Sequence, residues 1–211
     1  MKNIIFIAPP SAGKGTQSAI LVDKYGYIHI STGDLLRAEA KKDTPLGRDI
    51  NEKLKQGMLI SDDITNELVK NIVKDIDSSF ILDGYPRTLD QAIFLDELID
   101  DNYVTIYLNI SQDEAMKRAL GRATCDDCKT IYNIYFEDMN SKEKGICDHC
   151  NGALVLRSDD NEESFKKRFE GFEKNTLPLV DYYKNKNQLE YVEVLNSPEE
   201  TFEGIEKVIR W

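Results

Sequence analysis

Hydrophobic positions along this chain fall into short runs separated by longer amphipathic stretches. Strand-like runs occur at 3–8, 27–30, 80–83, 104–109 and 190–194, each rich in β-branched or aromatic residues and short enough to be a buried strand. Helical periodicity fills most of the intervals, which predicts a parallel sheet with helices on both faces. Three helix starts carry the spacing of a side-chain cap followed three residues later by Glu or Gln: Thr88 with Gln91, Ser111 with Glu114, and Ser197 with Glu200. Two intervals break the alternation. The interval between the second and third runs is a long, mostly helical excursion. The segment between Gly121 and Asp160 holds turn residues and short β-like stretches at Thr130–Phe136 and Ala153–Leu156. Both are expected to be insertions at the ligand-binding edge of the sheet, where loops carry function.

The turn after the first run adds chemistry. Ile4–Ile7 leads into Ala8-Pro-Pro-Ser-Ala-Gly-Lys-Gly-Thr16 and then into a helical pattern from Gln17. Strand, glycine turn, lysine and helix N-terminus together make a phosphate cradle. Backbone N–H groups of the turn face phosphate oxygens, the helix dipole favours negative charge, and Lys14 supplies a full positive one. Thr16 offers a hydroxyl to a phosphate-bound Mg²⁺. The first glycine of the general phosphate-loop pattern is Ala8 here. A second buried run, Phe80-Ile-Leu-Asp83, ends in a carboxylate suited to that magnesium shell, followed by Gly84 and Pro86 in a turn.

Composition narrows the field. The chain has 211 residues, 41% of them hydrophobic, enough for one α/β domain with inserted subdomains and a sizeable core. Its net charge of −11 argues against nucleic-acid binding through a broad basic face but not against a small anionic ligand. No apolar run approaches membrane-spanning length and no signal peptide is visible, which predicts a cytoplasmic protein. An acidic surface also favours a monomer. All four cysteines lie in one window, Cys125, Cys128, Cys147 and Cys150, as two C-x2-C knuckles 18 residues apart. That spacing predicts a tetrahedral zinc site. Two disulfides are the competing arrangement, although nothing points to an oxidising compartment, and His149 is an alternative ligand to Cys150.

Taken together, these motifs resemble the adenylate kinases, in the bacterial form whose long lid carries zinc. The resemblance rests on Ala8–Thr16 (family pattern G-x-P-G-x-G-K-G-T), Ser31-Thr-Gly-Asp-Leu-Leu-Arg37, Gln56-Gly-Met-Leu-Ile60, Asp83-Gly-Tyr-Pro-Arg-Thr88 with Gln91, Gly121-Arg122, Arg157-Ser-Asp-Asp160 and Lys167-Arg168. It runs from Lys2 to about Arg210. It implies a nucleoside monophosphate kinase fold with a central five-stranded parallel sheet. The implied core spans residues 1–30, 61–121 and 160–211, with an AMP-binding insertion at 31–60 and a zinc-bearing lid at 122–159. The implied reaction moves the terminal phosphoryl group of MgATP to AMP, giving two ADP. Lys14, Asp83, Arg87, Arg122, Arg157 and Arg168 would form the catalytic set. ATP would lie against Ser11, Ala12, Gly13, Lys14, Gly15, Thr16, Arg118, Arg122, Ile131 and Tyr132. AMP would lie against Thr32, Arg37, Met58, Leu59, Ile60, Gly84, Tyr85, Pro86, Arg87, Gln91, Arg157 and Arg168. Asp159 and Asp160 would steady the lid arginines.

Each arginine also has a plainer reading: Arg118 and Arg122 as a solvated helix face, Arg168 paired with Glu163 or Glu170. Gln91 has one too, as the capping partner of Thr88. Ala8 and Ser11 replace family glycines. If the loop needs a positive φ or a close phosphate approach at Ser11, ATP affinity falls; alternatively the serine donates its own hydroxyl. Two other functions remain open at this point: a kinase for another monophosphate, and a zinc-binding interaction protein on a catalytically dead scaffold.

Overall fold

The computed structural model describes residues 1–156 and 160–209. Arg157, Ser158, Asp159, Arg210 and Trp211 fall outside them, and with Arg157 one proposed site residue. In chain order the elements are β1 (Asn3–Ile7), α1 (Lys14–Tyr25), β2 (Ile28–Ser31), α2 (Thr32–Ala40), α3 (Pro45–Lys55), α4 (Asp62–Val73), β3 (Phe80–Asp83), α5 (Leu89–Leu98), β4 (Tyr103–Asn109) and α6 (Gln112–Leu120). They continue with β5 (Arg122–Cys125), β6 (Ile131–Asn133), β7 (Leu154–Leu156), α7 (Glu162–Gly171), α8 (Pro178–Asn185), β8 (Leu189–Glu193) and α9 (Pro198–Ile209).

The five expected strands form one parallel sheet in the order β2-β3-β1-β4-β8. Alternate side chains of each strand feed two separate cores, as the two-residue period of a strand requires. Ile5, Ile7, Leu82 and Tyr103 pack with Val69 of α4, Leu95 of α5 and Leu179 and Tyr183 of α8. Ile4, Phe6, Ile81 and Ile106 pack on the opposite face with Leu21 of α1 and Phe202, Ile205 and Ile209 of α9. Burial on both faces is why the inner strands β1, β3 and β4 read as continuous apolar runs, whereas the edge strands β2 and β8 carry polar residues.

Sheet order builds the site. The chain lays β2 and β3 on one side of β1, then crosses to put β4 on the other. The loop after β1 therefore sits at the point where the connections reverse direction, where open α/β sheets bind ligands. In register, Asp83 at the end of β3 lies between Phe6 of β1 and Ser31 of β2. The segments that follow these three strands consequently open side by side.

All three expected helix caps are present. Thr88 accepts from the N–H of Gln91, Ser111 from that of Glu114, and Ser197 from that of Glu200. Only at Ser197 is the bond reciprocated, with Glu200 accepting from the Ser197 N–H at 3.3 Å. Glu114 turns instead to Arg118, and Gln91 is used elsewhere.

The 122–156 segment carries a sheet of its own. Strands β6, β5 and β7 pair antiparallel. β6 and β7 fall within the β-like stretches. β5 was not foreseen, and it corrects the idea that Arg118 and Arg122 share a helix face: α6 stops at Leu120 and Arg122 opens a strand. Gly121 makes the junction, because a Cβ there would lie 2.1 Å from Asn133 Oδ1. That amide in turn donates to the Arg118 carbonyl at the end of α6, at 2.9 Å, so the lid hairpin closes the helix it grows from. Among the described residues no helix is long and apolar enough to cross a membrane.

Candidate active site

The loop Ala8–Gly13 bends from β1 into α1, with Gly13 at φ 91° as the residue before the helix. Ser11 is also left-handed, at φ 62°. A serine in that region costs about 1 kcal/mol or more relative to glycine, so the glycine missing from the sequence pattern is one whose conformation the loop does use. The Lys14 ammonium folds back onto the loop and donates to the Ala8 and Pro9 carbonyls at 3.3 and 3.1 Å. Burial pulls its pKa down to about 8; the charges of Arg87, Arg122 and Arg168 add to the effect and Asp83 opposes it.

Those same groups define the site. Lys14 from α1, Arg87 from the turn after β3, Arg122 from β5 and Arg168 from α7 are close enough to repel one another electrostatically, with Asp83 in their field. In a chain of net charge −11, four cations gathered with Asp83 and with the Asp160 that pairs two of them make a locally basic cluster suited to a polyanion. Arg37 belongs to the edge of the group: its charge reaches Arg87, and its Nη2 donates to Asp34 at 2.6 Å. Asp83 faces the phosphate loop, its Oδ2 lying 3.7 Å from where a Gly15 Cβ would be. Burial alone would raise its pKa, but the hydrogen bond from His29 and the charge of Lys14 hold it below the ordinary carboxylate value, so it is an anion at neutral pH. An anionic carboxylate facing Gly15, next in sequence to the Thr16 hydroxyl, is a hard-oxygen donor of the kind Mg²⁺ takes.

His29 is a residue the sequence did not single out. It lies between two apolar positions of β2, and its Nε2 sits 3.3 Å from Asp83 Oδ2. Asp160 was expected only to steady arginines, and its geometry is more definite. Its carboxylate accepts from Arg122 Nε and Nη2 at 2.7 and 2.6 Å and from Arg168 Nη2 at 3.0 Å, with its side chain only 2% exposed. It therefore clamps the first residue of β5 to α7, and Arg168 takes it rather than Glu163 or Glu170. Asp160→Ala should lower unfolding stability by about 1–3 kcal/mol, because it strips a buried carboxylate from two partly buried guanidiniums. Burial raises the Asp160 pKa but the Arg122 and Arg168 bonds outweigh it. The folded value lies below the unfolded one, so this contribution is complete above pH 3.8 and is lost as the pH drops further. Denaturant melts of wild type and variant at pH 7 and near pH 3 test this; a gap that does not narrow in acid would contradict it.

The other proposed contacts separate into two kinds. Thr32, Gly84, Arg87 and Gln91 are drawn together. Thr32 Oγ1 donates toward the Gly84 and Asp83 carbonyls at 2.8 and 3.1 Å. A Cβ on Gly84 would stand 2.9 Å from that hydroxyl and 3.0 Å from Arg87 Nη2, so only glycine fits. Gln91 Oε1 accepts from the Arg87 N–H at 2.7 Å and its Nε2 donates to Asp62 at 2.8 Å. The sequence did not point to Asp62, which also accepts from Thr88. One lone pair and one N–H of the Gln91 amide remain available to a ligand. Met58 and Leu59 are exposed, whereas Ile60 is buried in the small core of α2–α4.

Other residues have their side chains committed elsewhere. Tyr85 is fully buried, its hydroxyl donating to Asn66 at 2.6 Å, and it precedes Pro86 across a cis bond. Ala12 packs into the core. Arg118 is held by Glu114 and by the Leu195 carbonyl, beside the Phe136 ring and apart from the Lys14 group. In β6 the two expected ATP contacts point opposite ways. Ile131 Cδ1 comes within 3.4 Å of a Gly15 Cβ position, so the lid rests over the phosphate loop. Tyr132 turns inward, 3.5 Å from Cys147 Sγ, which leaves its main chain alone for any ATP contact.

The four cysteines converge, with every Sγ within 4.8 Å of the others. The near pairs, Cys125–Cys150 at 3.4 Å and Cys128–Cys147 at 3.5 Å, are too far apart for disulfides, whose S–S length is about 2.05 Å. They are close to the separation of about 3.8 Å that tetrahedral Zn–S bonds of ~2.3 Å impose. The two knuckles match bond for bond. The Lys129 N–H donates to the Cys125 carbonyl and that of Asn151 to the Cys147 carbonyl, at 3.2 and 2.9 Å; both donors are left-handed. His149 is exposed and only its backbone N–H faces a thiol. The residues present suit zinc.

Residues 6–188 match the family model described as adenylate kinase. Curated relatives agree over nearly the whole chain. An adenylate kinase of Clostridium tetani is 39% identical, covering 98% of each chain. One of Thermodesulfovibrio yellowstonii is 41% identical over 96% of each, and one of Acholeplasma laidlawii 43% identical over 88% of each. With the parallel sheet, the phosphate loop at its switch point and the four-cysteine lid, these matches place the chain in the adenylate kinase family.

Proposed function

We propose that this protein is an ATP:AMP phosphotransferase, a nucleoside monophosphate kinase that moves the terminal phosphoryl group of MgATP to AMP and releases two ADP. The observation that carries the reading is the convergence of Arg87, Arg122 and Arg168 on Lys14, with Asp83 in the field of Lys14 and Arg87. In the reaction an AMP phosphate oxygen bonds to the γ-phosphorus while the bond to the β–γ bridging oxygen breaks, and that oxygen leaves on ADP. Little covalent help is required; the two anions must be held in line and their charge neutralised.

The residues divide that work by position. The N–H groups from Ser11 to Thr16 hold the ATP phosphates. Lys14 lets go of its own loop carbonyls and follows the phosphoryl group. Arg37 and Arg87 take the AMP phosphate, while Arg122 and Arg168, anchored by Asp160, face the transferring group from the lid side, with Arg157 assigned the same duty. Arg118 lies beside the ATP adenine. Mg²⁺, when bound, would neutralise phosphate charge; Asp83 and Thr16 are the residues that would hold it, and His29 holds Asp83 in place. The division is a core of residues 1–30, 61–121 and 160–211, a monophosphate-binding insertion at 31–60 and a lid at 122–159. Zinc in the lid is structural, since four thiolates leave no coordination position open. The reading includes a monomer working in the cytoplasm, in keeping with the acidic composition.

Release of ADP from ATP plus AMP, measured in a coupled assay with single-nucleotide controls, tests the function. No ADP from the pair would remove it and restore the dead-scaffold alternative. Acceptor choice is tested separately. Thr32 and Gln91 line the AMP side, and Gln91→Ala should raise the AMP KM and narrow the preference for AMP over CMP. An unchanged ratio of kcat/KM values would reduce Gln91 to a brace between the Arg87 backbone and Asp62.

A further inference from the structure

Ser11 carries two unfavourable features at once. Its backbone is left-handed at φ 62°, a conformation that glycine adopts freely and serine does not. Its hydroxyl is shielded from solvent and has no hydrogen-bond partner among the described residues. The nearby loop carbonyls are already used: Ala8 and Pro9 accept from Lys14, and Pro9 also accepts from the Ala12 N–H. A strained residue and an unsatisfied polar atom in the same loop mark a place where a ligand supplies what the free protein lacks. Here the loop is a phosphate cradle, and phosphate oxygens are acceptors for which a hydroxyl is a donor.

We propose that the Ser11 hydroxyl is an additional phosphate-binding group, donating to an oxygen of the ATP polyphosphate where the family pattern has only backbone. The proposal deepens the kinase reading and rests on it. It makes this loop bind with one more side-chain donor than a glycine loop has, at the expense of the free protein's stability.

The test compares wild type with Ser11→Ala and Ser11→Gly in three measurements: calorimetric Kd for MgATP, Kd for inorganic tripolyphosphate, and melting of the free protein. Both variants should bind MgATP and tripolyphosphate about tenfold more weakly, the loss expected for one hydrogen bond to a charged group. Ser11→Gly should nonetheless melt a few degrees higher than wild type without nucleotide. Ser11→Gly binding MgATP as tightly as wild type, or more tightly, would overturn the proposal, since the serine would then be only strain. A loss for MgATP but not for tripolyphosphate would overturn it as well, by assigning the hydroxyl to the nucleoside. Failure here is separable from failure of the kinase reading. Wild type that binds MgATP but does not convert AMP defeats the reaction alone, whereas wild type that binds no MgATP defeats both.

Discussion

Replacing Lys14 with methionine should lower turnover at least ~10²-fold, and toward ~10³-fold, while leaving the protein more resistant to heat. Removal of one preorganised charge from a site of developing negative charge is worth this much. The gain in stability has a separate cause. In the folded free protein Lys14 titrates at about 8 against 10.5 for an ordinary lysine, mainly because it is buried and partly because three arginines face it. Below pH 8 the protein therefore holds an ammonium that prefers water, and the cost is present in full. Between pH 8 and 10.5 the unfolded chain binds more protons than the folded one, so stability rises with pH across that window, and above it the cost is gone. Methionine removes the cost at neutral pH, a gain of roughly 1–3 kcal/mol for a partly buried head group. The wild-type and variant melting curves should accordingly converge as the pH approaches 10.5. Binding works in the opposite direction. ATP phosphates favour the charged form, so above pH 8 wild type takes up a proton on binding and its ATP affinity weakens. A variant that keeps a tenth of wild-type turnover would remove Lys14 from the charge balance of the reaction, and one that melts lower at neutral pH would show that its bonds to the Ala8 and Pro9 carbonyls outweigh the cost of burying it.

Removing zinc should dismantle the lid before the rest of the molecule changes. The lid's own core consists of Ala123, Cys125, Tyr132 and Cys147 with Leu154 against it. Half of the buried members are proposed metal ligands. A cluster that small does not offset the entropy of ordering the 122–156 segment, and zinc bound to thiolates supplies about 10 kcal/mol or more in small modules. Chelation, or Cys147→Ser, should open this segment to proteases and remove a low-temperature component of thermal unfolding. The two sheet cores contain no cysteine and should survive. Activity at low temperature should fall only partly. Arg122 is clamped by Asp160 rather than by the thiolates, and Ile134 is hydrogen-bonded to Gly121 at 2.8 Å, so the base of the lid remains attached. Metal content, protease sensitivity and turnover measured on one chelated sample decide the matter. Complete loss of turnover with the lid still protected would give zinc a part in the chemistry. A zinc-free preparation with an intact lid would end the structural assignment.

What the sequence determined by itself was local or nearly so. β1, β3 and β4 were legible because strands buried on both faces must be apolar at nearly every position; β2 and β8, which are partly exposed, were legible from their β-branched and aromatic residues, and the structure places all five within about one residue of their runs. The caps at Thr88, Ser111 and Ser197 were legible because a cap is a bond between residues three apart. Asp83 was legible because it ends such a strand, Lys14 because it opens the helix after the glycine turn that follows one, and the cysteines because a knuckle is a local turn. What lies far apart along the chain was settled by tertiary structure alone. The order β2-β3-β1-β4-β8 decides that Arg87, Arg122 and Arg168 reach the same space as Lys14, and no spacing rule connects those positions. It also decides that Asp160 binds two arginines, that His29 reaches Asp83, and that Gln91 finds Asp62 rather than completing a capping box. Strand β5 escaped notice because Arg122-Ala-Thr-Cys125 is too short and too polar to register as a strand until β6 and β7 pair on either side of it. Strand alternation, once the register is set, turns the Tyr132 side chain toward Cys147 and leaves its main chain to the proposed ATP contact. The left-handed turn at Ser11 came from the loop's path between sheet and helix, which constrains the backbone whichever residue stands there.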